Sequence, residues 1–163
     1  KFISTGKTDG IFQIESSYMK SLMRDLYQDV DANKNFDGNK GFERLCDANA
    51  LGRPGPMREI PHYIDNMLHP EKITYEVPAM ERYLSATNGI ITYQEQMMQL
   101  CRELAGFTGG QADTVRKGCA KKKVKILNEY GEYFIYGSKE KNIPGCINNG
   151  ISEEIAKSIW DKM

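Results

Sequence analysis

Apolar positions along this chain recur at helical rather than strand spacing. Tyr18, Leu22 and Leu26 repeat every four residues with Met19 and Met23 beside them, which predicts a first helix over about 15–27. Residues 29–40, rich in Asn, Asp and Gly, read as a loop. Phe42, Leu45, Cys46 and Asn49 then mark a second helix that Gly52 ends. Arg53-Pro54-Gly55-Pro56 cannot be helical, because each proline restricts its predecessor and the glycine breaks what remains. A short helix follows, with Pro61 in its first turn and Ile64, Met67 and Leu68 on one face. Residues 72–75 suffice only for an isolated strand or an extended connector. Pro78 opens a helix through Met80, Tyr83 and Leu84, and Asn88-Gly89 forms a turn. The next helix, roughly 94–105, presents Met97, Leu100, Cys101 and Leu104 to a core and is closed by Gly106. Thr108-Gly109-Gly110 separates it from a basic helix, and another over about 124–133 leads to Asn142-Ile143-Pro144-Gly145. Ser152 caps a last helix, whose Glu153 and Glu154 complement the helix dipole. The class is all-α, an irregular multi-helix domain with at most a minor extended or hairpin element.

Charge changes this picture at one place. The chain balances 22 Lys+Arg against 22 Asp+Glu, yet residues 115–125 hold six cations and no acid. Concentrating charge in a neutral protein costs self-repulsion, so it calls for a polyanion or for plain solvation. At about 100° per residue, Ala112, Val115 and Cys119 share an apolar arc. Arg116, Ala120, Lys117 and Lys121 sweep the adjoining arc, with small Ala120 leaving room between the cations. Taken alone, such a cluster is more often a solvated turn than a site.

The remaining chemistry narrows the classes. At 163 residues the chain buries a real core, and one domain is the natural count. Cys46, Cys101, Cys119 and Cys146 fall at irregular spacings, against a zinc ribbon or a disulfide framework and in favour of reduced thiols. No run approaches the ~20 apolar residues of a membrane span and no signal-peptide pattern opens the chain, so a cytoplasmic protein without membrane partners is expected. Gly6-Lys7-Thr8 imitates the end of a phosphate-binding loop but lacks the glycine five positions earlier and the strand before it. His62 and His69 have no ligand-spaced partner, and no metal site is expected. Glu15 and Glu95 read as capping or polar contacts, and Tyr93 packs inward more readily than it stacks on a base. Arg53, in a rigid turn, is either pre-organised for a partner or bonded to the carbonyls of the preceding helix.

Read outward from the basic cluster, the blocks fall in a familiar order. They are Thr8-Asp9-Gly10-Ile11-Phe12-Gln13-Ile14-Glu15-Ser16, Ala48-Asn49-Ala50-Leu51-Gly52-Arg53-Pro54-Gly55-Pro56-Met57 and Gly89-Ile90-Ile91-Thr92-Tyr93-Gln94-Glu95-Gln96-Met97-Met98. Leu104-Ala105-Gly106-Phe107, Ala112-Asp113 and Gly145-Cys146-Ile147-Asn148-Asn149-Gly150-Ile151 follow. Six such blocks in order, at these spacings, resemble the fingers region of the alpha subunit of bacterial DNA polymerase III, a C-family replicative polymerase. The absence of an initiator Met at Lys1 and the stop at Met163 within an amphipathic run fit a piece of that larger subunit. Its phosphoesterase-like, palm, duplex-binding and clamp-binding domains have no counterpart here.

The resemblance implies a part of a DNA-directed DNA polymerase, placing the incoming deoxynucleoside triphosphate against template-primer DNA. It assigns Arg116, Lys117 and Lys121 to the triphosphate and suggests Arg53, Lys122 and Lys123 as DNA or nucleotide contacts. Catalytic residues and Mg²⁺ ligands are expected outside this chain, among palm aspartates, so the isolated chain is expected to be inactive. Other domains of the subunit and replisome subunits are the implied protein partners. Lys117 stands for the second arginine of the family pattern, Gly118 for Ala, Ala120 for Gly or Ser, and Gly52 for Tyr; these departures suit a diverged or inactive copy. Two readings from other classes remain: a non-catalytic nucleic-acid-binding helical module, and a protein-interaction scaffold whose basic stretch is merely solvated.

Overall fold

The chain divides into two compact units, Lys1–Lys72 and Ile73–Met163. The computed structural model describes residues 2–30, 37–53 and 55–163. The centre of the expected 29–40 loop, and Pro54 of the expected turn, lie outside the described residues. The class is all-α, with eight α-helices and five short 3-10 turns among the described residues.

In the first unit, α1 (Ser17–Leu26) starts at Ser16, whose Oγ accepts from the Met19 amide at 3.2 Å. It buries Met19, Leu22, Met23 and Leu26, the stripe its period predicts. Helix α2 (Gly38–Leu51) begins earlier than its apolar pattern suggests, because the Asp37 carboxylate caps the Asn39 amide at 2.9 Å. From α2, Arg44 donates to the Leu26 carbonyl at 3.1 Å and forks onto Asp29, closing the end of α1. Hydrogen bonding to Arg44 holds the Asp29 carboxyl below its usual range. Helix α3 (Ile60–Leu68) corrects the expected apolar face: Ile60 and Tyr63 are buried, Ile64 and Met67 half-buried, and Leu68 exposed. The reason is polar. The Tyr63 hydroxyl donates to the buried Asp47 carboxylate of α2, which turns the ring inward. Thr8 is fully buried and donates to the Ile14 carbonyl, so Gly6-Lys7-Thr8 is a packed turn and not a phosphate cradle.

The second unit carries the basic helix. Residues 73–75 form a connector without strand pairing. A short α4 (Glu81–Leu84) lies between 3-10 turns at Pro78–Met80 and Ser85–Thr87. Left-handed Asn88 and Gly89 then reverse the chain, as expected. Helix α5 (Gln94–Ala105) has the predicted bounds and buries Met97, Leu100, Cys101 and Leu104. Gly106 ends it in the left-handed region, φ 76°. Helix α6 (Gly109–Ala120) packs on α5 and on α7 (Val124–Tyr136), and α7 packs on α8 (Glu153–Lys162). Phe134 sits at the centre, edge-on to Phe107 at 6.2 Å and 5.3 Å from Trp160. Gly131 of α7 makes room for Trp160, since a Cβ there would lie 2.8 Å from the indole nitrogen. The minor extended element is a single antiparallel pair, Ser138 with Ile143. All four cysteines are free, and burial pushes the Cys101 and Cys146 thiols up to about 12. No helix among the described residues is long and apolar enough to cross a membrane.

Candidate functional site

Helix α6 differs from its sequence reading at both ends. Gly109 and Gly110 do not separate it from α5; they are its first turn. Thr108 is the N-cap, accepting from the Gln111 amide at 3.3 Å, while the Gln111 side chain accepts from the Thr108 amide at 2.8 Å. This reciprocal cap offsets the low helix propensity of two glycines. Ala112 and Val115 are buried and Cys119 half-buried, the apolar arc expected from the wheel. Gly118 faces α7, where an added Cβ would lie 3.2 Å from Leu127 and 3.3 Å from Ile126. A methyl group there would need these two side chains to give way by a few tenths of an ångström.

The cations fall into two groups. Arg116 and Lys117 meet on one carboxylate. Arg116 donates to Asp113 Oδ1 through Nε at 2.8 Å and Nη2 at 2.7 Å, while Lys117 Nζ lies 2.7 Å from Oδ2. A long hydrogen bond of 3.4 Å carries Arg116 Nη1 to Gln94 Oε1 on α5. Hydrogen bonds from Lys117 and then Arg116 hold the Asp113 carboxyl below its usual range. Lys121, Lys122 and Lys123 form the second group. Lys121 stays a turn above Lys117, donating its amide to the Lys117 carbonyl at 3.1 Å, but the helix has ended at Ala120. The Lys122 amide bonds the Cys119 carbonyl at 3.1 Å and the Lys123 amide bonds the Gly118 carbonyl at 2.9 Å. Those two bonds define a Schellman turn, with Lys122 at φ 49° in the place glycine usually takes. All three lysines are exposed.

A lysine in the left-handed region carries a penalty of about 1 kcal/mol that glycine avoids. Lys122→Gly is therefore expected to raise stability by about that much, seen as a higher urea midpoint, with Lys122→Gln neutral. An unchanged midpoint for the glycine variant would show that the turn is not strained.

Arg53 belongs to the first unit, where it is exposed; Ser16, not Glu15, caps α1, and Glu95 is exposed in the first turn of α5. No group of three or more His, Cys, Asp or Glu that could hold a metal ion occurs among the described residues. Sequence reasoning missed Asp113 and Gln94. Asp113 was legible through its i, i+3 and i, i+4 spacing to the cations, but it lies two residues before the cation-dense window.

The sequence of this all-α chain matches a known family. It belongs to the family described as the bacterial DNA polymerase III alpha subunit finger domain, which matches residues 1–142. Proteins named DNA polymerase III subunit alpha align with nearly the whole chain. That of Staphylococcus epidermidis is 38% identical over 159 residues, covering 98% of this chain and 13% of the relative. That of Halalkalibacterium halodurans is 36% identical over 159 residues, covering 98% and 12%. That of Staphylococcus aureus strain Mu50 is 37% identical over 161 residues, covering 99% and 13%. The chain thus spans about an eighth of the length of these relatives.

Proposed function

We propose that this chain serves as the finger region of a bacterial DNA-directed DNA polymerase and positions the incoming deoxynucleoside triphosphate against template-primer DNA. The observation that supports it is the fixed Arg116–Lys117 pair on α6 beside the exposed lysines of the Schellman turn. Phosphoryl transfer asks a protein mainly for positioning and for cations that neutralise phosphate charge. Arg116 has a planar donor edge for phosphate oxygens, and Lys117 and Lys121 supply point charges one turn apart. Arg53, Lys122 and Lys123 are the proposed further contacts to DNA or nucleotide. Mg²⁺ would lower the charge on the triphosphate and activate the attacking hydroxyl, held by carboxylates outside this chain. Without that carboxylate set the isolated chain would not extend a primer. Template-primer DNA, other parts of the same subunit and replisome subunits are the proposed partners, in the cytoplasm.

In the full-length polymerase, Arg116→Gln should raise the Michaelis constant for nucleotide about tenfold, the loss of roughly one charge-assisted hydrogen bond. Lys121→Gln should raise it less, and Lys7→Gln or Lys139→Gln should leave it unchanged. Primer extension with varied nucleotide reads this directly. A variant series that alters DNA affinity while sparing the nucleotide constant would favour a plain nucleic-acid-binding role.

A further inference from the structure

We propose that Asp113 is a positioning residue of this site, holding Arg116 and Lys117 in register so that both meet the same polyphosphate. The proposal rests on the reading of those two cations as triphosphate contacts. Its basis is geometric. One carboxylate divides its oxygens between two neighbouring cations, Oδ1 to Arg116 at 2.7 and 2.8 Å and Oδ2 to Lys117 at 2.7 Å. Two of the five guanidinium hydrogens of Arg116 are used on Asp113 and one on Gln94, so two remain for a ligand. Lys117 uses one of three. Beyond them on the same side, Ala120 is small and exposed, leaving space where a phosphate would approach. The trio keeps a net charge of +1, since the carboxylate is ionised at neutral pH and its two partners hold it further below its usual range.

A carboxylate beside a phosphate site acts in two opposite ways. As an anion it repels the ligand, by about fivefold in binding for charges roughly 4 Å apart in water and by less in salt. As a tether it restrains two long side chains, each of which carries rotamer freedom worth up to about thirtyfold when wholly released. Restraint of two chains outweighs repulsion by one charge. Ordinary helix-surface pairing predicts neither effect on nucleotide use.

The test is steady-state primer extension by the full-length polymerase carrying Asp113→Asn, Asp113→Glu, Arg116→Gln and the Asp113→Asn/Arg116→Gln pair. Asp113 is part-exposed, with 31% of its side chain accessible, and Asn is isosteric, so folding is preserved. Asp113→Asn should raise the nucleotide Michaelis constant about tenfold with kcat within twofold. Asp113→Glu should recover part of that loss, and the paired variant should lose less than the product of the two single effects, because without Arg116 the carboxylate still tethers Lys117 alone. A Michaelis constant that falls in Asp113→Asn would make Asp113 a competing anion and overturn the proposal. An unchanged constant, with Arg116→Gln still impaired, would reduce it to a helix-surface partner while leaving the site intact. If Arg116→Gln has no effect either, the reading of the site fails and the proposal with it.

Discussion

Gly145→Ala should destabilise the second unit by about 4 kcal/mol or more, enough to lower its melting temperature by over 10 °C. Gly145 has φ +83°, and a Cβ there would lie 2.3 Å from the Gly137 nitrogen and 2.7 Å from its Cα. Gly137 is its counterpart at φ +84°, with a Cβ 2.2 Å from the Pro144 carbonyl oxygen. Both obstacles are backbone, which cannot swing aside as a side chain would. The close approach exists because this segment closes two helices. The Gly145 amide bonds the Ala105 carbonyl at 3.0 Å and the Asn149 side chain bonds the Leu104 carbonyl at 2.8 Å, at the end of α5. The Cys146 and Ile147 amides bond the Phe134 and Ile135 carbonyls at 2.8 and 3.1 Å, at the end of α7. Pushing the two segments apart would leave these last-turn carbonyls without partners. Gly150 supplies the control. Its φ is also +83°, but nothing lies within 4 Å of its added Cβ, so Gly150→Ala should lose only about 1 kcal/mol. Thermal melts of Gly145→Ala and Gly150→Ala decide it, and equal small losses would show that the Gly137–Gly145 contact is not close.

What the sequence made legible follows from which forces act locally. Helix α5 was readable because its apolar period, its following glycine and its buried face all agree. The start of α6 was not, because two glycines argue for a break and only the Thr108–Gln111 cap, a side-chain geometry, overrides them. The end of α6 was hidden for the opposite reason. Lysine is a good helix former, and nothing in residues 121–123 announces a left-handed residue. The inward face of α3 depends on a partner sixteen positions away, the Asp47 that binds Tyr63, which no local pattern carries. At the site, the cations were found by charge density. Their common carboxylate was overlooked because it lies two residues before the density window, although helix spacing places it among them.

Gln96→Leu should cost about 3–4 kcal/mol, although leucine nearly preserves the volume. The Gln96 side chain is 7% exposed and uses all its polar atoms. Its Oε1 accepts from the Thr92 and Tyr93 amides at 2.8 and 2.9 Å, and its Nε2 donates to the Tyr83 carbonyl at 3.0 Å and Thr87 Oγ1 at 2.7 Å. Thr87 keeps a partner in the Ile90 carbonyl at 2.7 Å, so the groups left unsatisfied are two amides and one carbonyl. Gln96→Glu would retain the acceptor half and lose the donor half, placing a charge against the Tyr83 carbonyl, so it should also be destabilised. The consequence reaches the site, because Gln96 fixes the chain that delivers Gln94, the α5 residue bonded to Arg116. Amide exchange at Thr92 and Tyr93 should accelerate in Gln96→Leu, with the nucleotide Michaelis constant of the full-length polymerase rising in parallel. Faster exchange without a kinetic change would confine Gln96 to the fold. Unchanged exchange would mean that these amides owe their protection to burial, and the side-chain clamp would not be what orders the start of α5.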